Sequence, residues 1–92
     1  IVDSVNLAAQ DAVVVISAGN EGDTAMGISS PACASGAIAV GAVDKNDKMA
    51  GFSNHGPALD IVAPGVDILS TYSCVAAGNC GLYWNYAWMS GT

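Results

Sequence analysis

The chain has 92 residues, of which 52% are hydrophobic and 11% charged, and its formal net charge is −6. Lys45 and Lys48 are its only basic side chains, so nothing gathers into a patch that would neutralise phosphates, and nucleic acid is not an expected partner. No apolar run approaches the roughly 18–20 residues that span a bilayer, so a membrane is not an expected partner either.

The same figures point to a piece of something larger. A short domain needs proportionally more polar surface than a long one, yet the mean hydropathy here is +0.45. Ile1 is not preceded by an initiator Met, and the last residues, YAWMSGT (86–92), lead from large side chains into Ser90-Gly91-Thr92 rather than into a polar tail. The expectation is a segment of a larger domain, truncated at both ends.

Residues 1–12, IVDSVNLAAQDA, place small and apolar side chains at helical spacing and predict a helix. VVVISA (13–18) is a β-branched run without alternation, the pattern of a strand covered on both faces as in a parallel sheet. Helix followed by buried strand is the rhythm of an α/β fold. A Gly/Ser-rich loop runs from Gly19 to about Gly36, and AIAVGAV (37–43) predicts a second buried strand. DKNDK (44–48) is a polar turn. LDIVAPGVDILST (59–71) predicts two short strands parted by the turn dipeptide Pro64-Gly65. Residues 72–88, aromatic and Gly-rich, predict a loop with packed rings. The predicted class is α/β, a mostly parallel sheet flanked by helices.

Three cysteines are present. Cys74 and Cys80 bracket a Gly-containing turn, CVAAGNC, at a spacing compatible with a small disulfide loop and equally with two reduced thiols. Cys33 is then the odd, free one. No C-x-x-C pair occurs, which argues against a zinc site built from these thiols and His55.

Two stretches carry candidate chemistry. In VVVISAGNEGD a buried strand delivers Ala18-Gly19-Asn20-Glu21-Gly22 at its C-terminal end, where open α/β sheets place ligands. An Asn held there presents an N–H donor of the kind acyl transfer needs opposite a developing oxyanion. Taken alone, the segment reads more readily as a turn Asn. Neither G-x-G-x-x-G nor G-x-x-x-x-G-K-[ST] occurs, so a phosphate loop is not supported. The second stretch is MSGT (89–92), where Gly91 permits close backbone approach to a substrate chain. His55, between Asn54 and Gly56, reads as an exposed turn residue rather than a base.

Together these segments resemble the subtilisin-like serine peptidases, the subtilases. SAGNEG is similar to the family's oxyanion segment, and SSPACASGAIAVGAVD to the segment following the substrate-pocket loop. FSNHGPALDIVAPGVDILST is similar to its F-S-x-x-G…D-x-x-A-P-G-x-x-I-x-S-T stretch, and YAWMSGT to the approach to its G-T-S-M-A nucleophile motif. The resemblance runs from about Val13 to Thr92 and assigns residues 1–92 to part of a catalytic domain, from the oxyanion segment to just before the nucleophile serine. It implies that the catalytic Asp, His and Ser all lie outside these residues, and His55 does not match the family's H-G-T histidine.

The resemblance further implies roles for individual residues. Asn20 matches the side-chain donor of the oxyanion hole. Thr92 adjoins the nucleophile and is a second, weaker donor. Ala18, Gly19, Glu21 and Ala32 match positions around the pocket for the substrate side chain, with Gly91 beside the substrate chain. Glu21 there would favour basic or neutral over acidic substrate side chains. Asp60 matches an acid that, with carbonyls of Ser35 and Ala37, helps hold a structural calcium in several relatives; no cofactor is implied for catalysis. The implied function is a secreted serine endopeptidase acting on peptide or protein substrates and completed by the remainder of its own catalytic domain. The alternative is a non-catalytic peptide-binding module of the same fold.

Overall fold

A computed structural model describes residues 1–22, 27–73, 75, 78 and 85–92. Helix α1 spans Val2–Ala8. Strand β1 spans Val14–Ser17, β2 Ala37–Val43, β3 Ile61–Pro64, β4 Ile68–Thr71 and β5 Tyr86–Met89. The predicted helix forms but stops four residues short of Ala12. Residues 9–12 continue as turns, with Ala9 N donating to Val5 O and Ala12 N to Ala8 O. Asp3 in the first turn complements the helix dipole, and Asn6 Oδ1 accepts the Gly36 amide at 2.8 Å, tying the helix to the entrance of β2.

β1, β2 and β3 form a parallel sheet in that order. Val14 pairs with Ala37 and Ser17 with Val40; Val40 in turn pairs with Ile61 and Val43 with Pro64. Parallel neighbours need crossover connections. Here the connections are residues 18–36 and 44–60, and both leave the sheet at its carboxyl edge. In the second of them Asp44 Oδ1 accepts the amides of Asn46 and Lys48, which closes the predicted polar turn.

Two expectations are corrected. The end of the 72–88 segment is regular: β5 pairs antiparallel with β4, with Ile68 opposite Met89 and Thr71 opposite Tyr86. Backbone pairing with β4 makes this stretch a strand, although Tyr-Ala-Trp-Met has no alternation to announce it. β1 is also not covered on both faces. Its side chains alternate between half-buried and exposed, and Val15 is 60% exposed. β3 is exposed along its length. Only one helix stands among the described residues, too few to cover two faces of a sheet.

The interior is built from small side chains. Ala18, Ala32, Ala34, Ala39, Ala42, Val43 and Ala50 form the buried apolar set, while the largest fully buried side chains are polar, Asn54 and Ser53. Each buried methyl supplies only about 0.8 kcal/mol of transfer free energy, so the polar contacts inside carry an unusual share of the fold's specificity. No helix among the described residues is long and apolar enough to cross a membrane.

Candidate active site

The site lies at the carboxyl edge of the parallel sheet. β1 ends as Ala18 N donates to Val40 O at 2.9 Å, the last rung of the ladder. The chain then turns through Gly19 at φ +115°, a conformation open to glycine and costly for other residues. The next residue, Asn20, is exposed. From the other end of the sequence, Gly91 and Thr92 come alongside. Gly91 N donates to Gly65 O at 2.9 Å, just past β3, and Gly19 N donates to Thr92 Oγ1 at 3.2 Å, just past β1. The segment 91–92 therefore bridges the ends of β3 and β1. It passes so close to Gly65 that a Cβ there would lie 2.5 Å from Gly91 O and 2.7 Å from the Ala42 methyl.

Asn20 and Thr92 are held together directly. Asn20 Oδ1 accepts Thr92 N at 2.8 Å and Thr92 Oγ1 at 2.9 Å. A backbone N–H can only donate, so the oxygen of the Asn20 amide must face Thr92 and its NH₂ must face the other way. Nδ2 has no acceptor among the described residues and lies 3.3 Å from where a Gly91 side chain would begin. The outcome is an amide locked through its acceptor, with its donor side unengaged beside a backbone with no side chain. Thr92 Oγ1 donates to Asn20 Oδ1 and accepts Gly19 N.

Glu21 follows at the rim. Its Oε2 accepts from Ser29 Oγ at 3.1 Å, which places a carboxylate over Gly19 on the same side as the loop 27–29. Ala18 and Ala32 are buried, at 0% and 2% exposure. Gly91 is half-buried and keeps its place beside Asn20.

One residue of the site escaped the reading of the sequence. Asn54 is fully buried, and its amide fills every hydrogen-bonding position it has. Oδ1 accepts Glu21 N at 2.8 Å and Gly22 N at 3.1 Å, and Nδ2 donates to Gly27 O at 3.0 Å and Ser29 Oγ at 2.8 Å. Its backbone N–H donates to Gly19 O at 3.0 Å. Adjacent Ser53, also buried, accepts Ala42 N on its hydroxyl at 2.9 Å, which seats this corner on β2. His55 is exposed, as expected of a turn residue, and its Nδ1 lies 3.4 Å from Ser53 O.

The residues assigned to calcium gather less well. Asp60 Oδ2 accepts Ala39 N at 2.8 Å, so one carboxylate oxygen already serves the edge of β2. Ser35 Oγ is turned to Asn6 Oδ1 at 3.4 Å, and no group of three His, Cys, Asp or Glu side chains among the described residues is arranged for a metal. Calcium takes six to eight oxygens. Asp60 and the carbonyls of Ser35 and Ala37 would supply only part of that set, with waters and other residues of the enzyme to complete it. Cys33 is a free, exposed thiol, and the Cys74–Cys80 pairing lies outside the described residues.

Over 64 residues the chain is 58% identical to subtilisin-like protease 3 of Pseudogymnoascus destructans, covering 70% of this chain and 16% of that protein. Over 80 residues it is 50% identical to a thermophilic serine proteinase of Bacillus sp. strain AK1, covering 87% of this chain and 17% of that one. Among solved structures, a psychrophilic subtilisin-like protease from the Antarctic psychrotroph Pseudoalteromonas sp. AS-11 matches with a TM-score of 0.68 and 34% identity, over 76% of this chain and 16% of its own. The chain thus spans about a sixth of the length of each of these proteins. The sequence profile of the Subtilase family matches residues 2–92, nearly end to end. With that match, and an α/β fold shared with a solved member, this chain belongs to the subtilase family.

Proposed function

We propose that the protein acts as a secreted serine endopeptidase, cleaving peptide bonds through an acyl-enzyme, and that these 92 residues supply its oxyanion donor and part of its substrate pocket. The observation that carries this is the orientation of Asn20: Oδ1 is fixed by Thr92 N and Oγ1, which turns both Nδ2 protons outward. As a nucleophile adds to the scissile carbonyl, its oxygen gains negative charge, and a donor already aimed at that point stabilises it without reorganising. Gly91 leaves room for the substrate backbone at that place. In this reading the nucleophile, base and orienting acid come from the enzyme's other residues and do the proton transfers, so this chain alone is inert. Calcium is given no part in the reaction. Extracellular localisation rests on the family resemblance.

The test is hydrolysis of a peptide p-nitroanilide by the enzyme carrying this chain, with and without a serine-directed phosphonylating reagent. Turnover, abolished by the reagent, is expected. Saturable peptide binding without turnover overturns the reading in favour of a non-catalytic module.

Glu21 sets a second expectation, about substrate choice. Its carboxylate stands at the rim of the loop with Ser29 as a partner, where it attracts a cationic substrate side chain and repels an anionic one. The position is exposed, so water screens the effect. Glu21→Gln is expected to lower the kcat/KM ratio of a Lys over a Glu substrate by roughly 3- to 10-fold, the scale of a single solvated charge contact. An unchanged ratio places Glu21 outside the pocket.

A further inference from the structure

Asn20 sits between two glycines in left-handed backbone, Gly19 at φ +115° and Gly22 at φ +58°. Left to itself, a stretch with such a residue on either side has little reason to hold one orientation, because glycine resists neither twist. Asn20 cannot anchor its own backbone from the surface, where its one fixed contact is to Thr92. The restraint comes from below. Asn54 N donates to Gly19 O, immediately before Asn20, and Asn54 Oδ1 accepts Glu21 N and Gly22 N, immediately after it. A single buried residue thus grips the loop on both sides of the donor. Through Nδ2 it also fixes Gly27 O and Ser29 Oγ, and Ser29 passes the contact on to Glu21.

We propose that Asn54 is a positioning residue for the oxyanion donor, acting on turnover through the placement of Asn20. This rests on Asn20 being that donor. A merely space-filling role does not account for the contacts. An apolar side chain of similar volume would fill the hole and leave Glu21 N, Gly27 O and Ser29 Oγ short of a partner. The orientation of the amide is unambiguous as well: two donor-only amides face its oxygen and a carbonyl faces its nitrogen.

A double-mutant cycle in the full-length enzyme tests this, with kcat and KM on a peptide p-nitroanilide and Tm measured for Asn20→Ala, Asn54→Ala and the double variant. Asn54→Ala is expected to lower kcat about 10-fold with KM within about twofold, since the donor acts in the transition state. In the Asn20→Ala background the same change is expected to lower kcat by less than about twofold, because there is no donor left to misplace. An equal fold-loss in both backgrounds, or no loss from Asn54→Ala alone, overturns the proposal. Should Asn54→Ala fail to fold, the isosteric Asn54→Asp keeps an oxygen for Glu21 N and Gly22 N while losing both Nδ2 donors, and is judged by the same criterion. Full activity in the single Asn20→Ala variant would overturn the oxyanion reading itself, a result separate from failure of the cycle.

Discussion

Asn20→Ala is expected to lower kcat by about 10²–10³ with little change in KM, a magnitude taken over from the known effect of removing the corresponding asparagine of a subtilisin. The physical reason is local. Nδ2 lies beside Gly91 with no acceptor among the described residues, and the charge proposed for it to meet exists only during the reaction. A ground-state carbonyl binds nearly as well without it, so the loss falls on kcat. Asn20→Asp makes the sharper control. It keeps an oxygen for Thr92 N and so preserves the contact at 2.8 Å, but replaces the donor with negative charge. Its kcat should fall at least as far as that of the alanine variant, at an unchanged fold. A variant of either kind retaining turnover within about twofold of the parent would show that Asn20 does not serve the oxyanion.

The second large effect is structural. At Gly19 a methyl group would lie 2.5 Å from Glu21 Oε2, 2.6 Å from Ser29 Oγ and 2.8 Å from Asn54 Nδ2. The first is the tip of a flexible side chain and can move. Asn54 Nδ2 is buried and bonded on both protons, and does not yield without releasing Gly27 O or Ser29. The backbone adds its own resistance, since φ +115° is a region that costs other residues about 1–3 kcal/mol. Overpacking adds a further 1–3 kcal/mol or so. Gly19→Ala is therefore expected to destabilise the enzyme by about 2–6 kcal/mol in denaturant titrations of the phosphonylated, self-digestion-proof form, and to lower kcat as well. A midpoint matching the parent's would mean that the loop accommodates the methyl by a route the present contacts do not offer.

How far the sequence disclosed this arrangement differs from one element to the next. β2 was legible to its boundaries, because an apolar run is closed by Gly36 on one side and the Asp44 turn on the other. Pro64-Gly65 divided β3 from β4 for a similarly local reason. β5 was not legible: Tyr86 and Trp88 suit a strand, but four residues beside a Gly-rich stretch do not announce one, and its state is set by the partner across the ladder. The covering of β1 is not provided by the described residues, because Val13, Val14 and Val15 describe what a strand tolerates on its faces and a single helix stands among those residues to cover them. In the site, AGNEG announced Asn20 through its two glycines, and the family resemblance brought Thr92 to it. Asn54 went unnoticed because nothing near it in sequence marks an Asn as interior; its partners Glu21 and Gly22 are 33 and 32 positions away.

The bond between Asn20 and Thr92 spans 72 positions of sequence. Contacts this distant close late, since the chain between them must first give up its freedom. With β1 and β2 paired but residues 91–92 not yet docked, the Asn20 amide lacks the two contacts that orient it. The alignment of the proposed donor is therefore a tertiary property, set only when residues 72 positions apart have met.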